Sequence, residues 1–367
     1  MKRWRSALPV LFLLAGCTAA PAANQSASST RTESPAPAAP PYGVLVDLLS
    51  QKATYGLSVV SSEGGVVAQQ TAAQRTPTGG LDLPYVSTTS STLYYLNGDS
   101  QVLALPIANI GGAPVAVTHL DAGPGMVGAF AVSPDDSRIA VAVLDFNRKP
   151  THLTLYVDDL HGGAKNVIFE SDSSYVWPVA WRGGLLVLAH AYGPTPAEAL
   201  KAAPAQDNPY WSVSYHVVDP KTANRVVLMG ACTASGPLSP AGSACIQGGT
   251  IDWKGNTTDW STRDWGQISS AASLSPDGSM VAAADADNPE RLDFWRQAGT
   301  IATWVDGPGR NDWAGWLDNT HVVVSSSTIA GYPPHIVKLS SDASAAQELQ
   351  SINALGFYAA RLPTDIT

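Results

Sequence analysis

The chain has 367 residues and a formal net charge of −9, with 14% charged and 45% hydrophobic residues. That acidic balance argues against nucleic acid and against docking by charge on anionic lipid, while the length is ample for one large domain. Thirty-two Gly and 27 Pro suit a fold made of many turns, and no long helical period follows the first twenty residues.

The N-terminus has its own logic. Met1-Lys-Arg-Trp-Arg is a basic start, Ala7 to Ala15 is apolar, and Leu14-Ala-Gly-Cys17 ends in small residues before a cysteine. The apolar run is too short for a stable membrane span and has the flanks of a secretion signal. Its end resembles the bacterial lipobox, which implies a signal peptide over 1–16 and diacylation of Cys17; the alternative is an ordinary signal peptide cleaved near Ala20. Cleavage before Cys17 removes Lys2, Arg3 and Arg5 and moves the charge from −9 to −12. Thr18 stands where an Asp would suggest retention at the inner membrane. Residues 17–41, mostly Ala, Ser, Thr and Pro after the cysteine, cannot bury enough apolar surface to fold and read as a tether. The expected location is the bacterial cell envelope, anchored by lipid to the outer side of a membrane.

From residue 42 to 367 the chain reads as one all-β domain. Val44 to Leu49, Tyr55 to Val60 and Gly65 to Gln70 are its first strands. A phrase then recurs: Val132-Ser-Pro-Asp-Asp-Ser and Leu274-Ser-Pro-Asp-Gly-Ser, each followed by a run of small apolar residues, with Leu238-Ser-Pro-Ala-Gly-Ser a worn copy. Pro presets the first central turn position, and Asp and Gly tolerate the geometry after it, so the phrase joins two strands. Weaker copies place the residue before the turn at Ser87, Trp181 and Trp316, besides Ser133, Ser239 and Ser275. These anchors are 46, 48, 58, 36 and 41 residues apart, and such spacings, with two further strands after each turn, signal β-propeller blades.

On these phrases the chain resembles the exported WD-repeat-like and TolB-like propellers, which carry Ser-Pro-Asp-Gly at the same place in the blade. Dividing the domain by the mean spacing predicts seven blades, with six as the alternative. Six anchors are visible, so the last blade is expected to be shared, its inner strand supplied by Ile352 to Leu362 and the others by the first strands after Tyr42. Closure of this kind leaves fewer open sheet edges.

Two cysteines remain once Cys17 is lipidated, and Cys232 with Cys245 forms a reasonable disulfide in an exported protein; two separate buried thiols are the alternative. The densest unusual stretch is Ile251 to Gly266. Its Trp253, Asp259, Trp260, Arg263, Asp264 and Trp265 could bind a glycan or peptide, because indoles stack on sugar rings and the polar groups take hydroxyls or carboxylates. The same tryptophans could instead wedge between blades, as expected for Trp295, Trp304 and Trp316. No histidine spacing supports a metal, no Gly-x-Ser-x-Gly elbow is present, and no nucleotide-binding glycine pattern occurs, so neither a cofactor nor a catalytic residue is assigned. The expected role is therefore binding or scaffolding of an envelope protein, peptide or glycan, more plausibly without catalysis. The rival is a glycan hydrolase or lyase with its acid and base in the central channel.

Overall fold

The computed structural model describes residues 41–48, 53–76, 83–191, 214–229, 238–245, 248–260, 272–284, 288, 290–297, 299–305, 313–325 and 332–364. They form seven antiparallel sheets, six of four strands and one of three, and the architecture is a seven-bladed β-propeller. Blade 1 holds the strands from Val86–Thr88 to Val115–His119, blade 2 those from Met126–Val132 to Asn166–Ser171, and blade 3 those from Val176–Arg182 to Arg225–Met229. Blade 4 runs from Ser243–Ala244 to Thr257–Thr258, blade 5 from Ala272–Leu274 to Gly299–Val305, and blade 6 from Trp313–Trp316 to Ala346–Ser351. Blade 7 is shared as expected. Its strand order is Phe357–Leu362, then β1 (Tyr42–Asp47), β2 (Thr54–Ser61) and β3 (Val66–Ala73), which joins the end of the domain to its beginning. In blade 4 the three described strands stand where the second to fourth strands of other blades do, and residues 230–237, where a first strand would fall, lie outside the described set.

Continuous apolar runs make these strands because both faces of a blade are covered. Along Arg138–Asp145, Ile139, Val141 and Val143 pack with blades 7 and 1, while Ala140, Ala142 and Leu144 pack with blade 3. Ala140 and Ala142 are small where Ile139, Val141 and Val143 on the other side are β-branched, so the two faces suit different neighbours.

The Ser-Pro-Asp phrase is a self-contained turn. Ser133 Oγ donates to Asp135 Oδ1 at 2.6 Å and accepts the Arg138 N–H at 2.9 Å, and Asp136 takes the left-handed conformation at φ +56°. Ser275, Asp277, Met280 and Gly278 repeat the arrangement. A third copy not evident from the phrase is Ser340-Ser-Asp342-Ala-Ser344, where Ser340 Oγ donates to Asp342 at 2.6 Å and Ala343 has φ +58°. The donated hydrogen bonds stabilise the carboxylate. The Ser133 hydroxyl holds Asp135 below the usual carboxylate range, and the Ser340 hydroxyl brings Asp342 down to about 2.

Side chains near the inner strands, and one main-chain hydrogen bond, then fasten blade to blade around the disc. Ser87 Oγ accepts the Val132 N–H at 3.0 Å, and Trp181 Nε1 donates to Ala131 O at 3.0 Å. Arg182 lies 5.4 Å over the Trp253 ring, and Ser239 Oγ donates to Ser275 O at 2.7 Å. Trp316 Nε1 donates to Ser273 O at 2.9 Å, Tyr358 OH to Trp316 O at 3.1 Å, and the Thr364 N–H to Thr89 O at 3.0 Å. Each of the seven seams thus has at least one directional contact in addition to its apolar packing. Among the described residues no helix is long and apolar enough to cross a membrane.

Candidate functional site

Two concavities merit description: the central channel, and a cleft in the seam between blades 6 and 7. Every blade contributes to the channel wall, largely through the turn anchors Ser87, Trp181, Ser239 and Trp316 and the prolines Pro134, Pro240 and Pro276. The last strand adds Tyr358 to Arg361. The described lining is apolar side chains and hydroxyls with a single charged group, Arg361, and the enclosed space is about 80 Å³. Ligand pockets usually occupy about 300–1,000 Å³, so this space takes a few waters rather than a sugar chain.

The seam cleft is larger, about 430 Å³. One wall is formed by blade 7, with Asp47, Ser58, Gln69 and Thr71, and the other by Pro333 and the connection Ile352 to Leu355. The central channel follows from the expected fold, whereas the seam cleft was not evident from the sequence. The only available signal was the interruption of apolar alternation by Gly56 and Ser58 within Tyr55 to Val60, and by Gln69 to Thr71.

The structure divides the expected ligand-binding set. Trp253 is buried, its Nε1 donating to Pro240 O at 2.8 Å and to Ser239 O at 3.2 Å. Trp260 is buried among Ala244, Ala272, Leu274 and Ala283 in the seam of blades 4 and 5. These two indoles therefore face the interior and are not presented to a ligand; the wedge alternative describes them. The physical reason is local: Asp252 accepts the Lys254 and Asn256 N–H groups at 2.8 Å each, forming a turn that folds Trp253 back under blade 4. Asp259 is exposed, and Arg263, Asp264 and Trp265 lie outside the described residues. Trp295, Trp304 and Trp316 are buried, and Phe294 meets Trp316 edge-on at 5.9 Å between ring centres. Cys245 is buried, while Cys17 and Cys232 lie outside the described residues.

Blades 2, 3 and 6 carry two histidines each. His152 Nδ1 is 2.6 Å from Asp172 Oδ1, and the His190 and His216 rings stack 5.6 Å apart at 15°. Burial, helped by the nearby His190 and Arg225, pushes His216 down to about 4, so both stacked rings favour the neutral form. Among the described residues no group of three or more His, Cys, Asp or Glu could hold a metal.

No protein-family profile matches the sequence, and no curated protein does. Solved structures do match in fold. A chain of the mitotic checkpoint complex is 14% identical with a TM-score of 0.50, over 78% of this chain and 84% of that one. A protein from Lactobacillus plantarum is 11% identical with a TM-score of 0.50, over 88% and 98%. An oligogalacturonate lyase in complex with manganese reaches a TM-score of 0.47 at 12% identity, over 82% and 92%. At such identities the likeness concerns architecture alone, and propellers host unrelated activities. What the chain shares with the first two is overall architecture; its own disc has seven blades.

Proposed function

We propose that this chain is a lipid-anchored, extracytoplasmic propeller that binds a protein, peptide or glycan of the cell envelope without transforming it. The observation that carries the reading is the channel. Channel catalysis on glycans needs an acid and a base facing one substrate-sized space. Here the described wall offers hydroxyls, apolar groups and Arg361 around about 80 Å³. The location rests on Leu14-Ala-Gly-Cys17 and the Ala-, Ser- and Pro-rich stretch behind it. Export also supports a Cys232–Cys245 disulfide. Asp259, exposed on blade 4, remains available for contact with a partner.

The test uses the full-length chain expressed in a bacterial host. Palmitate should label it and fractionation should find it with membranes, and Cys17→Ser should abolish both. Detergent-solubilised protein should retain a specific partner from envelope extract or a glycan on an array. Absence of both, or release of cleaved oligosaccharides by the purified protein, would overturn the reading.

A further inference from the structure

The seam between blades 6 and 7 changes character part of the way along. Cross-strand pairing sets Gly43 opposite Val60, Leu45 opposite Ser58, Asp47 opposite Gly56, Ser58 opposite Gln69 and Gly56 opposite Thr71. Side chains alternate across a sheet and paired residues share a face, so these positions form one surface, turned to blade 6. At one end Leu45 and Val60 pack against Leu317, Val323, Ile336 and Ile352 of the blade 6 side. At the other end the same face carries Asp47, no side chain at Gly56, then Ser58, Gln69 and Thr71, and the described residues of blade 6 do not fill it.

The facing wall is held in place. The Ile352 N–H donates to Pro334 O at 2.7 Å, and the Ala354 N–H donates to Ile352 O at 2.8 Å. Gly356 has φ +115°, and a Cβ there would stand 2.5 Å from Val46 O, so only glycine lets the connection lie against β1. The cleft is thus formed in advance and falls in the size range of small-ligand sites at about 430 Å³.

Its chemistry restricts the occupant. Among the described lining residues there is one carboxylate, Asp47, and no Lys, Arg or His, which disfavours a uronate, phosphate or other anion. Gln69 and Asn353 each offer a donor and an acceptor, while Ser58 and Thr71 offer hydroxyls. Vicinal sugar hydroxyls, which both donate and accept, match such a set, and the half-buried Pro333 and Leu355 supply apolar surface for ring C–H groups.

We infer that the blade 6–blade 7 cleft is a binding site for an uncharged saccharide of about one or two rings, hydrogen-bonded by Gln69 and Asn353. The inference rests on the binding reading above and gives it a site and a ligand class.

Calorimetry and saturation-transfer NMR on the full-length protein in detergent would test it, with maltose, cellobiose and chitobiose as neutral probes, digalacturonate as an anion and spermidine as a cation. At least one neutral probe should bind, and neither charged probe should. A Cβ at Gly56 would meet Asp47 Cβ at 3.5 Å, an ordinary contact, so Gly56→Leu should fill the cleft without strain in the strand and abolish binding. Gln69→Ala, at a solvent-facing strand position, should weaken it about tenfold, as loss of a hydrogen-bonding group does. If Gly56→Leu fails to fold, Gln69→Ala and Asn353→Ala decide alone. The site is wrong if a neutral probe binds equally to wild type and these variants, if a charged probe binds as well as the neutral ones, or if none binds. Retention of an envelope protein by a chain that binds no probe would leave the binding role standing and remove only this site.

Discussion

Closure of the disc depends on one close approach, and Gly315→Ala tests it. Gly315 lies on the inner strand of blade 6, and a Cβ added there would meet three ring carbons of Tyr358 as its nearest neighbours. Carbon atoms ordinarily stand about 3.5–4.0 Å apart, and the overlap is roughly 1 Å or more. Tyr358 is 2% exposed, and its OH donates to Trp316 O while its N–H donates to Ser325 Oγ, both at 3.1 Å. The ring therefore has no free direction, and relief requires the strand Phe357–Leu362 to shift against blade 6. Overpacking commonly costs about 1–3 kcal/mol and occasionally more; the fixed ring places this case at about 3 kcal/mol. Urea unfolding followed by tryptophan fluorescence should show a lower midpoint for Gly315→Ala. Tyr358→Leu should also destabilise, by loss of the ring and its hydrogen bond. The double variant, however, should be more stable than the sum of the two predicts, because the methyl then occupies space the ring has left. A Gly315→Ala protein as stable as the wild type, or strictly additive effects, would refute this account of closure.

Two further outcomes follow from the packing. Trp177 and Trp181 are each 2% exposed, but Trp181 Nε1 donates to Ala131 O whereas the Trp177 Nε1 has no hydrogen-bond partner among the described residues. Trp181→Phe should thus cost about 1–2 kcal/mol more in urea unfolding than Trp177→Phe, since only the former abandons a buried bond; equal costs would contradict the seam-fastening role. His216 gives the pH prediction. Its folded pKa, about 4, lies below the ordinary value of 6.5, so between these values the unfolded chain binds the extra proton. The corresponding stability is present above about pH 6.5 and is lost as pH falls towards 4. NMR titration should leave the His216 imidazole neutral at pH 5.5, and His216→Gln should flatten the acid limb of stability; a ring titrating near 6.5 would disprove it.

Recurring Ser-Pro-Asp turns were enough to read the radial plan. Ser133, Ser275 and their weaker counterparts act through bonds to residues within about five positions, so their geometry is written locally. Counting them also placed the shared blade, because a ring of sheets can close only by joining its ends. The boundaries differed by a few residues, since strand ends are set by the neighbouring ladder; the third strand runs on to Ala73 where it pairs with Thr54.

Site residues were far less legible. Trp253 and Trp260 look alike along the chain to any exposed aromatic pair, and only the arrangement of blades 3, 4 and 5 supplies Arg182, the Pro240 carbonyl and Ala272 to cover them. Asp47, Gln69 and Asn353 are more than twenty positions apart from one another in the chain, and no pattern in it links them. They meet because blade 7 is assembled from both ends of the domain, and because its polar strand face is left open by the described residues of blade 6. Local turn chemistry and alternation therefore determined the architecture from the sequence alone. Which groups share a cavity was decided by closure of the ring, which depends on contacts between segments that carry no mark of one another.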